Sequence, residues 1–254
     1  MTEVRAKKFL GQHFLTDENI AQRIVSNLSS TSHHVLEIGP GMGVLTKYLL
    51  VRPDTELYVI EIDHESVEYL NRNFPSLKVI EGDFLKHDIS SLFHDTFAVI
   101  GNFPYNISSQ ILFRVLDLRD SVTEVVGMFQ KEVAERIAAK PGSKVYGILS
   151  VLLSAYYDIE YLFTVGENVF NPPPKVKSAV VRLKRNNIKR LDCDEVLFIQ
   201  VVKVGFNQRR KTLRNALRQL NLSLDGIDPS LLSQRAEQLT VEQFISITKT
   251  LQTC

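Results

Sequence analysis

The sequence predicts an α/β fold: a doubly wound, mostly parallel sheet with an antiparallel edge, followed by a small all-α domain. Three observations carry this. Between residues 35 and about 139, short apolar runs alternate with segments of helical spacing, the pattern of parallel strands joined by crossover helices. A glycine turn or a polar residue stands at the carboxyl end of four successive runs. After Arg185 the alternation stops and only helical patterns remain.

The elements follow in order. Residues 35–38 form the first strand and lead into the turn Gly39-Pro40-Gly41-Met42-Gly43, with helical spacing over 44–50. A second strand is expected at 57–60 and a helix at 66–74, then strands at 78–80 and 97–100. Ile107, Ile111, Leu112 and Val115 form an apolar stripe of helical period. A fifth strand at 122–128 precedes a helix over 131–139. Residues 156–165 and 178–184 read as an antiparallel pair closing one edge. Helices are expected at 195–205, 209–220, 229–234 and 241–251, which divides the chain into domains 1–186 and 187–254.

The composition is that of a soluble globular protein, with 44% hydrophobic and 23% charged residues. The net charge is only +1, but its distribution is uneven. Seven basic residues and no acid lie between positions 168 and 191, and six basic residues and no acid between 203 and 218. Such runs are either solvated faces or nucleic-acid contacts. Cys193 and Cys254 have no metal-ligand spacing, so neither a metal site nor a disulfide framework is expected. The polar N-terminus lacks a signal-peptide core, and the longest apolar stretch, 148–153, is far too short to cross a membrane. A cytoplasmic protein without membrane contact is expected, and a monomer, since nothing points to an obligate partner.

The chemistry is concentrated at the strand ends. Gly39 and Gly41 let the backbone approach a ligand closely. A nicotinamide dinucleotide fingerprint would place its third glycine where this chain has Val44, so the loop suits a ligand without a pyrophosphate. Glu61, at the end of the second strand, is suited to accept hydrogen bonds from both ribose hydroxyls, with Asp63 a neighbouring competitor. Asp83 is suited to accept from an adenine amino group, with Phe84 packing on the base. Asn102-Phe103-Pro104-Tyr105 follows the fourth strand. The Asn102 oxygen and a main-chain carbonyl can accept the two hydrogens of an exocyclic amine, freeing its lone pair, while Pro104 stiffens the turn and Tyr105 stacks on the base. An adenosine-containing cofactor fits this inventory and points to S-adenosylmethionine. In the expected helix 209–220, Arg210, Arg214 and Arg218 recur every four residues on one face, a row suited to RNA phosphates.

Nearly end to end, the chain resembles the ribosomal RNA small-subunit adenine dimethyltransferase family, a group of Rossmann-like methyltransferases. The resemblance rests on Lys7-Lys8-Phe9-Leu10-Gly11-Gln12-His13-Phe14-Leu15, the glycine loop, Glu61, Asp83 and Asn102-Phe103-Pro104-Tyr105-Asn106-Ile107-Ser108. It continues through Gln130-Lys131-Glu132-Val133, Tyr146-Gly147, Phe170-Asn171-Pro172-Pro173-Pro174-Lys175-Val176 and Gln208-Arg209-Arg210-Lys211-Thr212-Leu213-Arg214.

The resemblance implies that His13 and Leu15 contact the cofactor, the family often having Asn where this chain has His13. It implies that Phe103 supplies the second acceptor through its carbonyl, and that Phe170 helps hold a flipped adenine. The implied reaction is N6,N6-dimethylation of two adjacent adenosines near the 3′ end of 16S rRNA, within the small ribosomal subunit. Two rivals stand beside it. The related resistance family dimethylates an adenosine of large-subunit rRNA and shares the glycine loop and turn, but the stretches at 170–175 and 208–213 favour the small-subunit enzymes. A non-catalytic ribosome assembly factor is the other, against which the intact Asn102 turn argues.

Overall fold

A short strand, β1 (Phe14–Leu15), and a helix, α1 (Glu18–Ser26), precede the first of the expected elements in the computed structural model, which describes residues 4–253. Cys254 lies outside the described residues. Helix α1 is absent from the sequence reading although its signals are present: Asp17 caps it by accepting the Ile20 N–H at 3.0 Å, and Ala21, Ile24 and Val25 are buried on one face.

The alternation then appears as β2 (His34–Ile38), α2 (Thr46–Leu49), β3 (Glu56–Glu61), α3 (His64–Asn73), β4 (Lys78–Glu81), β5 (Phe97–Asn102), α4 (Ser108–Asp117), β6 (Val122–Gln130) and α5 (Lys131–Ile137). Next come α6 (Ile148–Ser154), β7 (Tyr157–Val165), β8 (Phe170–Asn171) and β9 (Ser178–Arg185). The chain closes with α7 (Glu195–Asn207), α8 (Leu213–Leu217), α9 (Pro229–Ser233) and α10 (Val241–Thr253).

Seven strands form one sheet in the order β4-β3-β2-β5-β6-β9-β7. The pairs among β2 to β6 are parallel. β9 runs antiparallel to β6, from Glu124 opposite Lys184 to Gln130 opposite Ser178, and β7 lies outside it. Val35, Leu36, Val99, Ile100, Val125 and Val126 are buried, as strands covered on both faces require. The order reverses at β2, whose neighbours are β3 on one side and β5 on the other. In open α/β sheets the crevice at such a switch point receives the ligand.

Two helices depart from expectation. The segment 44–50 is helical only over Thr46–Leu49, because the glycine turn extends to Leu45. The expected helix 209–220 is broken. α7 runs to Asn207 and the chain then turns, with the Lys211 N–H bonding to the Gln208 carbonyl at 2.8 Å. Thr212 is extended, and the Leu213 N–H bonds to the Gln234 carbonyl at 2.7 Å. Only Leu213–Leu217 is α-helical, followed by a 3-10 turn, Arg218–Leu220.

The chain forms two compact units: one runs to Ala134 and includes Ile159–Arg185, and the other combines Glu135–Asp158 with the segment from Asn186. Residues 135–158, up to the first positions of β7, therefore group with the C-terminal helices. The reason is visible inside that unit, where α6 packs on α7 and α10. Arg209 bonds Glu237 at 2.7 Å and also reaches the Lys144 and Tyr146 carbonyls. No helix among the described residues is long and apolar enough to cross a membrane.

Candidate active site

The carboxyl ends of β2, β3 and β5, with the turn after β4, open into one cleft that encloses about 790 Å³ and is lined by Gly39, Gly41, Glu61, Asp83, Asn102 and Tyr105. Gly41 has φ +56°, and a Cβ there would lie 2.8 Å from the Phe14 ring. The position therefore admits no side chain, and the backbone itself forms the cleft floor.

Glu61 is buried, and its carboxylate organises this end of the sheet. Oε1 accepts the N–H groups of Ile62 and Asp63, each at 2.9 Å, and Oε2 accepts that of Gly41 at 3.1 Å. Burial pushes its carboxyl above the usual range, against the opposing pull of those three N–H groups. One carboxylate thus ties the glycine loop to the end of β3, and Oε2 retains a lone-pair direction for a ligand hydroxyl. Asp63 does something else. It caps α3, accepting from the Glu65 N–H and the Ser66 hydroxyl, and it anchors Lys7 and the Gln12 amide. Burial opposes its ionisation, but the Lys7 ammonium with Gln12 and Ser66 holds its carboxyl below the ordinary value.

Asp83 lines the cleft with Oδ1 accepting the Leu85 N–H at 2.9 Å and Oδ2 3.5 Å from Lys86. Phe84, expected to pack on a base, is only 4% exposed and points into the core. Leu85 and Ile62 form that wall instead, and Ile62 is 53% exposed, an apolar side chain at a cleft edge. Sequence reasoning missed both. The available signal at Ile62 was its place directly after Glu61.

The Asn102 turn is braced from both sides. Asn102 Nδ2 donates to the His13 carbonyl at 2.9 Å, which leaves Oδ1 as the free acceptor. The Phe103 N–H donates to the Met128 carbonyl at 3.2 Å, and the residue borders the cleft while only 1% exposed. The Tyr105 hydroxyl is 2.5 Å from that of Ser178. Burial raises the Tyr105 hydroxyl pKa, and the Ser178 bond opposes that rise. The His13 ring stacks on Tyr105 with centroids 5.4 Å apart, and its Nδ1 is 2.7 Å from the Pro172 carbonyl.

A second cavity lies beyond this pair. It encloses about 940 Å³ and shares Gly11, Gln12, His13 and Tyr105 with the first, its far side formed by Gln130 and residues 172–176. Segments about 160 residues apart in sequence thus meet at one wall. The pairing of β1 with β8 holds them, Leu15 opposite Phe170 and Phe14 opposite Asn171.

That pairing also relocates two expected contacts. Phe170 is 4% exposed in the core and lines neither cavity, so in this conformation its ring does not reach a base. Leu15 is likewise a core residue, bordering a small recess beside Glu37, Gly39 and Asn102. Among the arginines, Arg210 sits in the turn before α8, Arg214 on α8 and Arg218 just after it. All three are exposed, but they do not form one helical row. Leu213 and Leu217 of the same segment are buried.

Comparison with known proteins matches residues 3–253 to the family described as ribosomal RNA adenine dimethylase. The chain is 61% identical over 255 residues to the ribosomal RNA small subunit methyltransferase A of Cytophaga hutchinsonii, covering 99% of each chain. It is 59% identical over 256 residues to the protein of that name from Flavobacterium johnsoniae, covering 99% of this chain and 98% of the relative. Among solved structures, a dimethyladenosine transferase from Plasmodium falciparum superposes with a TM-score of 0.76 at 25% identity, covering 92% of this chain and 96% of that one. The 23S rRNA methyltransferase ErmE shares the fold, with a TM-score of 0.68 at 24% identity over 92% of this chain and 99% of that one. The high identities thus fall on small-subunit enzymes, and the large-subunit enzyme shares the architecture. This chain belongs to the ribosomal RNA adenine dimethylase family.

Proposed function

We propose that this protein transfers methyl groups from S-adenosylmethionine to N6 of two adjacent adenosines near the 3′ end of 16S rRNA, within the small ribosomal subunit in the cytoplasm, acting as a monomer. The observation that carries the reading is the pair of cavities joined at His13 and Tyr105, with Asn102 at the first. The residues present fit the cofactor. Glu61 offers an acceptor to the ribose, Asp83 an acceptor to an amino group, and Ile62 and Leu85 an apolar wall to the adenine. The small recess beside Gly39 and Asn102 suits the amino-acid tail.

S-adenosylmethionine supplies a methyl group already activated on a sulfonium. The protein's task is therefore to hold the acceptor amine in line, and positioning supplies most of the rate. The target adenine leaves its stack and enters from the second cavity. Tyr105, steadied by Ser178, offers a stacking face. Asn102 Oδ1, left free because Nδ2 is engaged by His13, accepts one N6 hydrogen, and the Phe103 carbonyl accepts the other. Both acceptors draw the amine toward a tetrahedral form whose lone pair points at the donor. No strong base is required, because the methylated ammonium releases its proton readily to water. Exposed Arg214 and Arg218, with Arg210 in the adjoining turn, contact RNA phosphates and contribute affinity rather than base selection.

Small subunits from a strain lacking the modification, incubated with this protein and labelled cofactor, test the reading. Mass spectrometry of the digested rRNA should yield N6,N6-dimethyladenosine, and Asn102→Ala should abolish it while the variant still sediments with the subunit. Incorporation that survives Asn102→Ala refutes the assigned role of that side chain. Binding by the intact protein without incorporation favours an assembly factor instead.

A further inference from the structure

Gly101 on β5 and Gly127 on β6 stand directly opposite each other in the parallel register. The aromatic ring of Phe103 rests across both. A Cβ on Gly101 would lie 2.7 Å from Phe103 Cε1, and a Cβ on Gly127 would run into Phe103 Cε2. The ring therefore fills a trough formed by two absent side chains, closed on one side by Phe129, whose ring meets that of Phe103 edge to face at 5.2 Å. The Phe103 main chain is pinned on the same strand, through its N–H to the Met128 carbonyl. Its two neighbours in the turn, Asn102 and Pro104, line the cleft.

We infer that Gly127 is a positioning residue for methyl transfer: the space it leaves seats the Phe103 ring, and that seat sets where the Asn102 side chain and the Phe103 carbonyl stand in the cleft. The inference rests on the function proposed above and deepens it. Gly127 touches neither cleft, since it lines neither cavity, so it acts only through the turn. Gly127 is also the informative member of the pair. A Cβ on Gly101 would also lie 2.6 Å from the Ile38 carbonyl oxygen, so a side chain there would disturb the backbone of β2 as well. At Gly127 the three nearest atoms are all aromatic carbons, from Phe103 and from Phe129 at 2.7 Å. An added methyl must push both rings aside, the Phe103 ring most because it is the nearest, since close-packed interiors have no slack to absorb the overlap. The turn moves with the ring.

The test compares Gly127→Ala with the double variant Gly127→Ala/Phe103→Leu, in the full chain, on small subunits lacking the modification. Leu has no Cε atoms, so it removes the nearest of the new methyl's obstructions and leaves the Phe129 ring alone to turn aside. Gly127→Ala should lower kcat by about 100-fold, the effect of misplacing reacting groups by about an ångström. KM for the subunit should stay within about 3-fold, because the exposed arginines assigned to RNA phosphates are untouched. The double variant should recover kcat at least about 10-fold over Gly127→Ala, a coupling that two independent structural defects would not give. Wild-type turnover in Gly127→Ala overturns the inference, as does a double variant no faster than the single one. If Gly127→Ala fails to fold, a double variant that folds and turns over supports the inference, and one that does neither overturns it. A wild-type chain that incorporates no methyl overturns the methyl-transfer reading and this role with it. That outcome is distinct from an active wild type whose two positions show no coupling.

Discussion

Replacing Glu61 by Gln alters one end of a carboxylate and leaves its shape unchanged. In the structure Oε1 holds the Ile62 and Asp63 N–H groups, and the Gln carbonyl oxygen can keep both. The amide nitrogen then occupies the Oε2 position, 3.1 Å from the Gly41 nitrogen, where donor faces donor. One hydrogen bond to a charged acceptor is lost and a buried N–H is left unpaired, costing about 1.5–3 kcal/mol. Removing a carboxylate that burial already disfavours returns part of that. The net loss of stability is about 1–2 kcal/mol, a fall in Tm of about 2–8 °C for a protein of this size. Cofactor affinity suffers separately, because a ribose hydroxyl loses its charged acceptor. At about 1.5–3 kcal/mol, Kd for S-adenosylhomocysteine should rise by about 10- to 150-fold. Titration calorimetry of the Glu61→Gln variant at a temperature well below its melting point separates affinity from folding. A Kd within 2-fold of wild type, on about the same enthalpy, refutes both the acceptor role and the placement of the ribose.

Two further outcomes follow from neighbouring groups. Glu37 is buried beside Thr46, whose hydroxyl donates to it at 2.6 Å, and burial pushes its carboxyl up to about 8 from an ordinary 4.5. The folded chain keeps this proton to about pH 8 while the unfolded chain loses it near 4.5, so stability declines as pH rises through that window, by up to about 1.4 kcal/mol per unit. Glu37→Gln keeps the Thr46 bond without the titration, and its Tm relative to wild type should climb between pH 6 and 8.5; a difference that stays constant over that range contradicts the burial argument. Ser178→Ala removes the partner that holds the Tyr105 hydroxyl. At about 1 kcal/mol this should lower kcat/KM for the subunit about 5- to 10-fold with cofactor affinity unchanged, and steady-state kinetics with unaltered kcat/KM would show that Tyr105 needs no such support.

Much of the architecture was legible because its signals are local. The β-branched runs at 35–38, 57–60, 97–100 and 122–128 are too apolar and too short for anything but buried strands. Side-chain direction at the strand exits was less legible. Asp83, Phe84 and Leu85 are consecutive, and which of them faces the cleft depends on the path of the turn, so Phe84 went inward and Leu85 outward. Periodicity also overran at 209–220. The positions of Leu213, Leu217 and Leu220 fit a helix, but Thr212 adopts an extended conformation and Leu213 bonds to Gln234, a partner that spacing along the chain cannot reveal.

By itself the sequence determined the alternating fold, the four strand ends that carry ligand-binding groups, and the Asn102 turn, since each is a matter of residue type and short-range order. Only the tertiary structure decided how those groups are held. Pairing of β1 with β8 brings His13 to Pro172 and Tyr105 and divides one opening into two joined cavities. It likewise turns Phe170 into core, while the pairing of β5 with β6 makes Gly127 the seat of a ring that lies twenty-four positions earlier. Contacts between segments so far apart depend on chain closure and on volume, and neither is written in the local pattern.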